Sequence, residues 1–133
     1  MSFSIKLLSI TTSDSWGPGV DFQISLVRKD DTYTLRGKRM RVDNLLEKPQ
    51  VLRKTVKVST EWATMLLDEL RNANIPVYPP EMLGCDGTFF SMSLGSAYGG
   101  ATYTWWSCPP HGWEILSKIT DKIIDEFSNH LYE

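Results

Sequence analysis

The residues best suited to chemistry in this chain are Cys108 and His111, in the segment TYTWWSCPPHGW (residues 102–113). Two prolines separate the thiol from the imidazole. Together such groups can act as a nucleophile and its base, or supply two ligands to zinc. One hypothesis is therefore a small metal- or thiol-dependent enzyme that uses Cys108 and His111.

The rest of the sequence does not complete such a site. A zinc ion prefers four ligands, and no second ligand pair stands at a recognised spacing. Cys85 could form a disulfide with Cys108 across a hairpin, although a reducing compartment argues against that bond. The glycines of GSAYGG (residues 95–100) match neither phosphate-binding pattern and indicate a turn. We therefore predict no catalytic residue, no metal and no cofactor.

A second chemical candidate is the basic stretch RGKRMR, which contains Arg36, Lys38, Arg39 and Arg41. Clustered cations on one face are the main requirement for binding phosphates, so a nucleic-acid binder is another alternative. Strand alternation across a bulge expected at Gly37 would divide these cations between two faces. The pI of about 5.7 also argues against a nucleic-acid partner.

Charge is unevenly distributed along the chain, although the net charge is only -2. Residues 28–57 contain ten of the fourteen cations and four carboxylates. The remainder contains four cations and twelve carboxylates. A protein with such a charge distribution is steered towards a charged partner more strongly than a uniformly charged one.

The hydrophobic pattern predicts the elements that must position these groups. Alternation of apolar and polar residues indicates strands near 3–10, 20–27, 32–42 and 52–58. From Ser59 the period becomes helical, with an apolar stripe of Trp62, Met65, Leu66 and Leu70. A two-stranded hairpin follows, and a last helix begins after Pro110. We predict one α+β domain over residues 1–133, a mostly antiparallel sheet of about six strands with two helices packed on one face.

The tryptophans of the opening segment lie in the second strand of this hairpin. Alternation places Tyr103 and Trp105 on one side of the sheet and Trp106 on the other. Trp106 could then pin a loop, either SWGPG (residues 15–19) or the Pro49 segment, to the outer face. Alternatively, Trp106 and Phe89 form an exposed patch that a partner buries. The CPPHGW residues form a corner between strand and helix, with Trp113 fixing that corner to the core.

The length of 133 residues fits one globular domain. The N-terminus lacks the pattern of a signal peptide, and no apolar run is long enough to span a membrane. Two cysteines are too few for a disulfide scaffold. We expect a bacterial cytoplasmic protein that does not bind membranes.

Two C-terminal stretches, DGTFFSMSLG and YTWWSCPPHGWEILSKITDKI, lie within residues 86–123. There an Asp-Gly-Thr strand precedes a strand that ends near Trp-Trp, and Pro-Pro-x-Gly-Trp opens the last helix. This pattern resembles a group of small bacterial α+β proteins, some of which are similar to immunity proteins. The resemblance implies an α+β fold and a protein partner, namely a toxin that the protein neutralises.

We therefore expect a non-catalytic protein-binding module, of the immunity type that the resemblance implies. Its partner would be a protein, and its oligomeric state is left open by the sequence. A subunit of a larger assembly, which would self-associate when isolated, is a third alternative. The candidate contact residues are two aromatic anchors, three carboxylates of the last helix and three arginines: Phe89, Trp106, Glu114, Asp121, Asp125, Arg36, Arg39 and Arg41.

Overall fold

The strands of this protein are joined into one antiparallel sheet. Its structure, a computed structural model, describes residues 3–14, 19–44, 46–79, 87–96 and 98–129. The elements in chain order are β1 (Ser4–Asp14), β2 (Gly19–Lys29), β3 (Thr32–Val42), β4 (Gln50–Val58), α1 (Thr60–Arg71), β5 (Thr88–Ser96), β6 (Gly99–Trp106) and α2 (Glu114–Ser128).

The six strands lie in the order β4-β3-β2-β1-β5-β6, and every neighbouring pair is antiparallel. The predicted fold class is confirmed. β4 and β6 form the two edges of the sheet. The N-terminal and C-terminal strand groups meet through the pairing of β1 with β5.

The hydrophobic core fills the space between one face of the sheet and the two helices. We call this the inner face of the sheet and the opposite one the outer face. Each aliphatic side chain that is fully removed from water contributes about 1.5–3 kcal/mol to folding. The inner face supplies Leu8, Ile10, Ile24, Leu26, Leu35, Val56, Met92 and Trp105, and the helices supply Ala63, Leu66, Leu116, Ile119, Ile123 and Phe127.

Helix α1 begins where the sequence predicted, because the Ser59 hydroxyl accepts a hydrogen bond of 3.0 Å from the backbone N–H of Trp62. Its buried residues are Ala63 and Leu66. The expectation that Met65 belongs to the apolar stripe is wrong, since its side chain is 66% exposed. Met65 directly precedes Leu66, and neighbouring helical residues point about 100° apart.

The two helices are also joined by one carboxylate. Glu69 of α1 accepts hydrogen bonds from Lys122 at 2.8 Å and from Lys118 at 3.2 Å, both on α2. Hydrogen bonds from these two ammonium groups, first Lys122 and then Lys118, lower the pKa of Glu69 below its ordinary value. The carboxylate therefore stays charged in a more acidic solution than it would without these partners.

The corner between β6 and α2 is organised around Trp113. Its indole Nε1 donates a hydrogen bond of 2.9 Å to the carbonyl of Pro76, and its ring meets Tyr103 edge to face at 5.2 Å. Gly112 has a φ of 96°, which favours glycine, and a Cβ there would lie 2.8 Å from Pro76. The interpretation of CPPHGW as a strand-to-helix corner that Trp113 attaches to the core is confirmed.

The bulge expected at Gly37 is wrong. β3 pairs with both neighbours without a break, and the only register shift recorded in these strand pairings lies in β1, between Lys6 and Leu8. The apolar phase of β3 changes because the core ends there: Leu35 is the last fully buried residue of the strand. Beyond it, apolar side chains such as Met40 occupy the outer face.

Gly37 is needed for close contact between β3 and β2 rather than for a bulge. A Cβ at this position would overlap the carbonyl oxygen of Gln23 and lie 2.7 Å from the Cα of Ile24. These are backbone atoms of a central strand, which cannot move without disturbing the pairing on both sides.

We predict that Gly37→Ala lowers the free energy of unfolding by about 1–3 kcal/mol, the usual cost of forcing an extra carbon into a packed site. The matched control is Gly99→Ala, because no atom lies within 4 Å of a Cβ at Gly99. Urea denaturation of both variants measures the difference. Equal stability of the two variants would contradict the close approach described at Gly37.

Candidate binding surface on the outer face of the sheet

The outer face carries two parallel rows of polar side chains that cross all six strands. Directly paired residues of antiparallel strands point to the same face, so the registers of the five strand pairs define each row. We call these rows the polar band. From β4 to β6 the first row is Thr55, Arg36, Ser25, Ser9, Ser93 and Thr102, and the second is Arg53, Lys38, Gln23, Thr11, Ser91 and Thr104.

Cations concentrate at the β4 end of the polar band, where the sheet forms a shallow depression of about 540 Å³. We call it the basic depression. Among the residues that the structure describes, five cations and no carboxylate line it: Lys6, Arg36, Lys38, Arg53 and Lys54. Gln23, Ser25, Gly37 and Thr55 complete the lining.

Strand pairing explains why these cations meet. Arg36 and Lys38 are two residues apart on β3 and share its outer face, and Arg53 is the direct partner of Lys38 on β4. Lys54 is paired with Gly37 and, like it, alternates to the inner face, so it borders the depression without adding a side chain to the outer-face cations. Lys6 reaches the depression from β1. It lies directly before the register shift in the pairing of β1 with β2.

None of the five cations forms an ion pair with a carboxylate in the described part of the chain. Their donors are therefore available to a ligand. Guanidinium and ammonium groups donate charge-assisted hydrogen bonds to carboxylate or phosphate oxygens, and these are the strong hydrogen bonds of proteins.

Towards β6 the polar band becomes neutral. Eight of its twelve residues are serine or threonine, and Ser93 and Thr102 share a hydrogen bond of 3.0 Å between their hydroxyls. Hydroxyl groups both donate and accept hydrogen bonds. This part of the face can therefore form hydrogen bonds with the polar groups at the rim of a protein–protein interface.

An aromatic pair flanks the polar band at the end of the hairpin. Phe89 and Trp106 are direct partners across β5 and β6, with their rings edge to face and the centroids 5.3 Å apart. Trp106 is 41% exposed, whereas Trp105 is buried, so the predicted opposite orientations of the two tryptophans are confirmed. The Pro49 segment cannot pin Trp106, because it leads into β4 at the far edge. The other loop considered, residues 15–19, lies largely outside the described residues.

The predicted arginines do not form one site. Arg36 belongs to the basic depression, but Arg39 and Arg41 alternate onto the opposite face of β3. Arg41 forms an ion pair of 2.8 Å with Asp43. The cations are indeed divided between two faces, but through simple alternation rather than a bulge. Lys6 and Arg53 escaped the sequence analysis because only the strand pairing brings them to Arg36.

The three candidate carboxylates of α2 lie on the helical side of the sheet, away from the basic depression. Glu114 accepts a hydrogen bond of 2.8 Å from the backbone N–H of Gly112 and lies 3.5 Å from His111, so its contacts stabilise the corner. Asp121 and Asp125 are separated by about one helical turn.

The charge of the two helices is opposite in sign to that of the basic depression. The two helices contain seven carboxylates and three cations. The basic depression lies on the other side of the sheet. The basic depression therefore attracts anions, while the two helices by themselves carry an excess of negative charge.

Cys108 and His111 lie in the corner before α2. The Cys108 thiol is free and exposed, and the side chain of His111 is 97% exposed and nearest to Glu114. Among the described residues, no group of three or more histidine, cysteine or acidic side chains is placed to hold a metal ion. Because the Cys108 thiol is free, the disulfide considered between Cys85 and Cys108 is not formed in this structure. Cys85 lies outside the described residues, and the enzyme alternative stays a prediction.

Comparison with known proteins yields no matching family model, no similar curated protein and no similar solved structure. The resemblance noted for residues 86–123 therefore stays a prediction. In the described residues, no helix combines the length and the apolar character that crossing a membrane requires.

The proximity of the like-charged Asp121 and Asp125 leads to a testable prediction about stability. Partial burial, and secondarily the charge of Asp125, raise the pKa of Asp121 above its ordinary value of 3.8. The folded state therefore binds this proton more tightly than the unfolded chain does. The resulting stabilisation is present at low pH and is lost as the pH rises through the folded pKa.

We predict that Asp121→Asn raises the free energy of unfolding at pH 7 by up to about 0.5 kcal/mol, the usual effect of one like-charge pair on a helix. This gain in stability should vanish at about pH 3, where Asp121 is largely protonated in both the folded and the unfolded state. Asp68→Asn is the control, because Asp68 pairs with Arg71 at 3.1 Å and its loss brings no gain. Denaturation at both pH values measures the difference, and a loss of stability in Asp121→Asn at pH 7 would contradict it.

Proposed function

We propose that this protein is a non-catalytic binding protein whose outer sheet face docks onto an acidic patch of a protein partner. The observation that carries the proposal is the basic depression, where Lys6, Arg36, Lys38 and Arg53 share the outer face without a carboxylate or an ion pair among the described residues. The acidic balance of the whole chain does not explain such a cluster.

The free protein has an electrostatic reason to bind an anion there. Neighbouring strands of a sheet lie only about 4.8 Å apart. Cations on adjacent strands of the same face therefore repel one another. A carboxylate placed among them relieves this repulsion and accepts the free hydrogen bonds. The two helices, with their excess of carboxylates, repel the same partner, so the charge distribution also orients its approach.

The shape of the surface favours a protein partner over a nucleic acid. A nucleic-acid strand requires cations along a continuous track and aromatic rings on which bases stack. Here the cations form one compact group, and uncharged hydroxyls occupy the face between that group and Trp106. A protein surface with one acidic patch and a polar rim matches this arrangement, with Phe89 and Trp106 as apolar anchors at its border.

The partner class that the resemblance implies is a bacterial toxin, which would make the protein an immunity protein. Such a protein acts by occupying a surface and needs no catalytic group. The open outer face supports this role because its residues do not form the core.

The first test uses two defined probes, a labelled oligoglutamate peptide and a labelled single-stranded oligothymidylate, in fluorescence anisotropy at low salt. We predict that oligoglutamate binds and that added salt weakens it. Arg36→Glu combined with Lys38→Glu should weaken binding at least about tenfold, since two attractive contacts become repulsive. Arg71→Glu is the control, an exposed cation of the helical side, and should bind almost as the unaltered protein does.

The outcomes separate the possibilities. Tighter binding of oligothymidylate, weakened by Trp106→Leu, would replace the protein partner by a nucleic acid. If neither probe binds, the role of the basic depression is overturned. The same holds if the double variant and Arg71→Glu lose equal amounts of binding affinity.

The partner itself is identified by comparative affinity capture from the lysate of the natural host. The unaltered protein and the Arg36→Glu, Lys38→Glu variant serve as parallel baits, and bound proteins are identified by mass spectrometry. A protein that the first bait retains and the second loses is the expected partner. The immunity role requires that it be a toxin whose activity falls on addition of this protein.

A further inference from the structure

The two edges of the sheet differ in how they are protected. An edge strand exposes a row of unpaired backbone N–H and C=O groups, which can pair with another strand. Charged side chains and proline are common means of preventing such pairing. β4 has both, because it contains Arg53, Lys54 and Lys57 and follows Pro49.

β6 has neither. Its sequence GGATYTWW contains no charged residue and no proline. Within the described residues, its backbone pairs only with β5, and no further hydrogen bond involves this strand beyond those to β5. Gly99, Gly100, Ala101 and Thr102 are all exposed.

We infer that the free edge of β6 is a self-association surface, where β6 of a second copy pairs antiparallel across a two-fold axis. The inference is independent of the proposed function. An uncharged strand meets no like-charge repulsion when it pairs with itself. The basic depressions, at the opposite end of each sheet, would stay far apart.

The side chains of β6 favour one register, centred on Tyr103. It places Gly100 opposite Trp106 and Ala101 opposite Trp105, so each tryptophan of one copy faces a small residue of the other, while Tyr103 faces Tyr103 of the second copy. Thr102 lies opposite Thr104 on the outer face. The pairing uses residues 100–106 of both strands and keeps each polar band continuous with that of the other copy.

An interface of one strand from each copy is at the small end of specific protein interfaces. We therefore expect a concentration-dependent equilibrium between monomer and dimer. In sedimentation equilibrium, the apparent mass should rise with concentration from the chain mass of 15.2 kDa towards twice that value.

The first test of the edge is charge. Thr102→Lys combined with Thr104→Lys places lysines opposite lysines across the axis, and we predict that the dimer weakens by about tenfold. The control is Ser9→Lys combined with Ser91→Lys, which adds two charges to the same face on inner strands and should leave the dimer largely intact. Circular dichroism confirms that both variants fold. A protein that stays monomeric at its highest soluble concentration would overturn the inference, as would a dimer that the edge lysines do not weaken.

The second test is register. Two single variants, Thr102→Cys and Thr104→Cys, are made in a background with Cys85→Ser and Cys108→Ser. In the proposed register Thr102 faces Thr104 of the other copy, so mild oxidation should cross-link a mixture of the two variants. Each variant alone should remain uncrosslinked, because its own cysteines would lie diagonally apart. Cross-linking of either variant alone, or none in the mixture, would contradict the register.

Discussion

The structure depends on one constraint, that the two helices cover only one face of the sheet. Where the helices cover a strand, that strand must then direct apolar side chains inwards at every second position, and the alternate positions need not contribute to the core. Leu8 and Ile10 of β1 are buried, for example, while Ser9 between them belongs to the polar band. The same alternation that closes the core thus assembles a polar surface on the other side.

This division separates the residues that maintain the fold from those available for binding. The core contacts of α1 and α2 involve the inner face, and the basic depression lies on the outer one. Residues of the outer face can therefore change in type or charge with limited effect on stability. Gly37 is the exception, because it lines the depression while its missing side chain allows β3 and β2 to approach.

The sequence was sufficient to predict what depends on local pattern. Alternation gave the strands and the opposite orientations of Trp105 and Trp106, and Ser59 marked the start of α1. The basic depression could not be predicted in full, because it joins residues of β1, β3 and β4. Lys6 and Arg53 are far apart in the chain, and only the strand order and register show that they share a surface with Arg36.

The position of Gly37 shows a further limit of local pattern. A glycine at a change of apolar phase is typical of a bulge, but the same change arises where a strand runs past the end of its core. Burial distinguishes the two cases, and burial depends on which part of β3 the helices cover. The sequence of β3 alone does not contain that information.

The unequal burial of the tryptophans has a spectroscopic consequence. Of the four that the structure describes, Trp105 and Trp113 are enclosed by the core and Trp62 is partly covered, whereas Trp106 is open to solvent on the outer face. A dissolved quencher of indole fluorescence would reach Trp106 far more readily than the two enclosed rings. The emission of Trp106 thus reports on the outer face, while the enclosed rings report on the integrity of the fold.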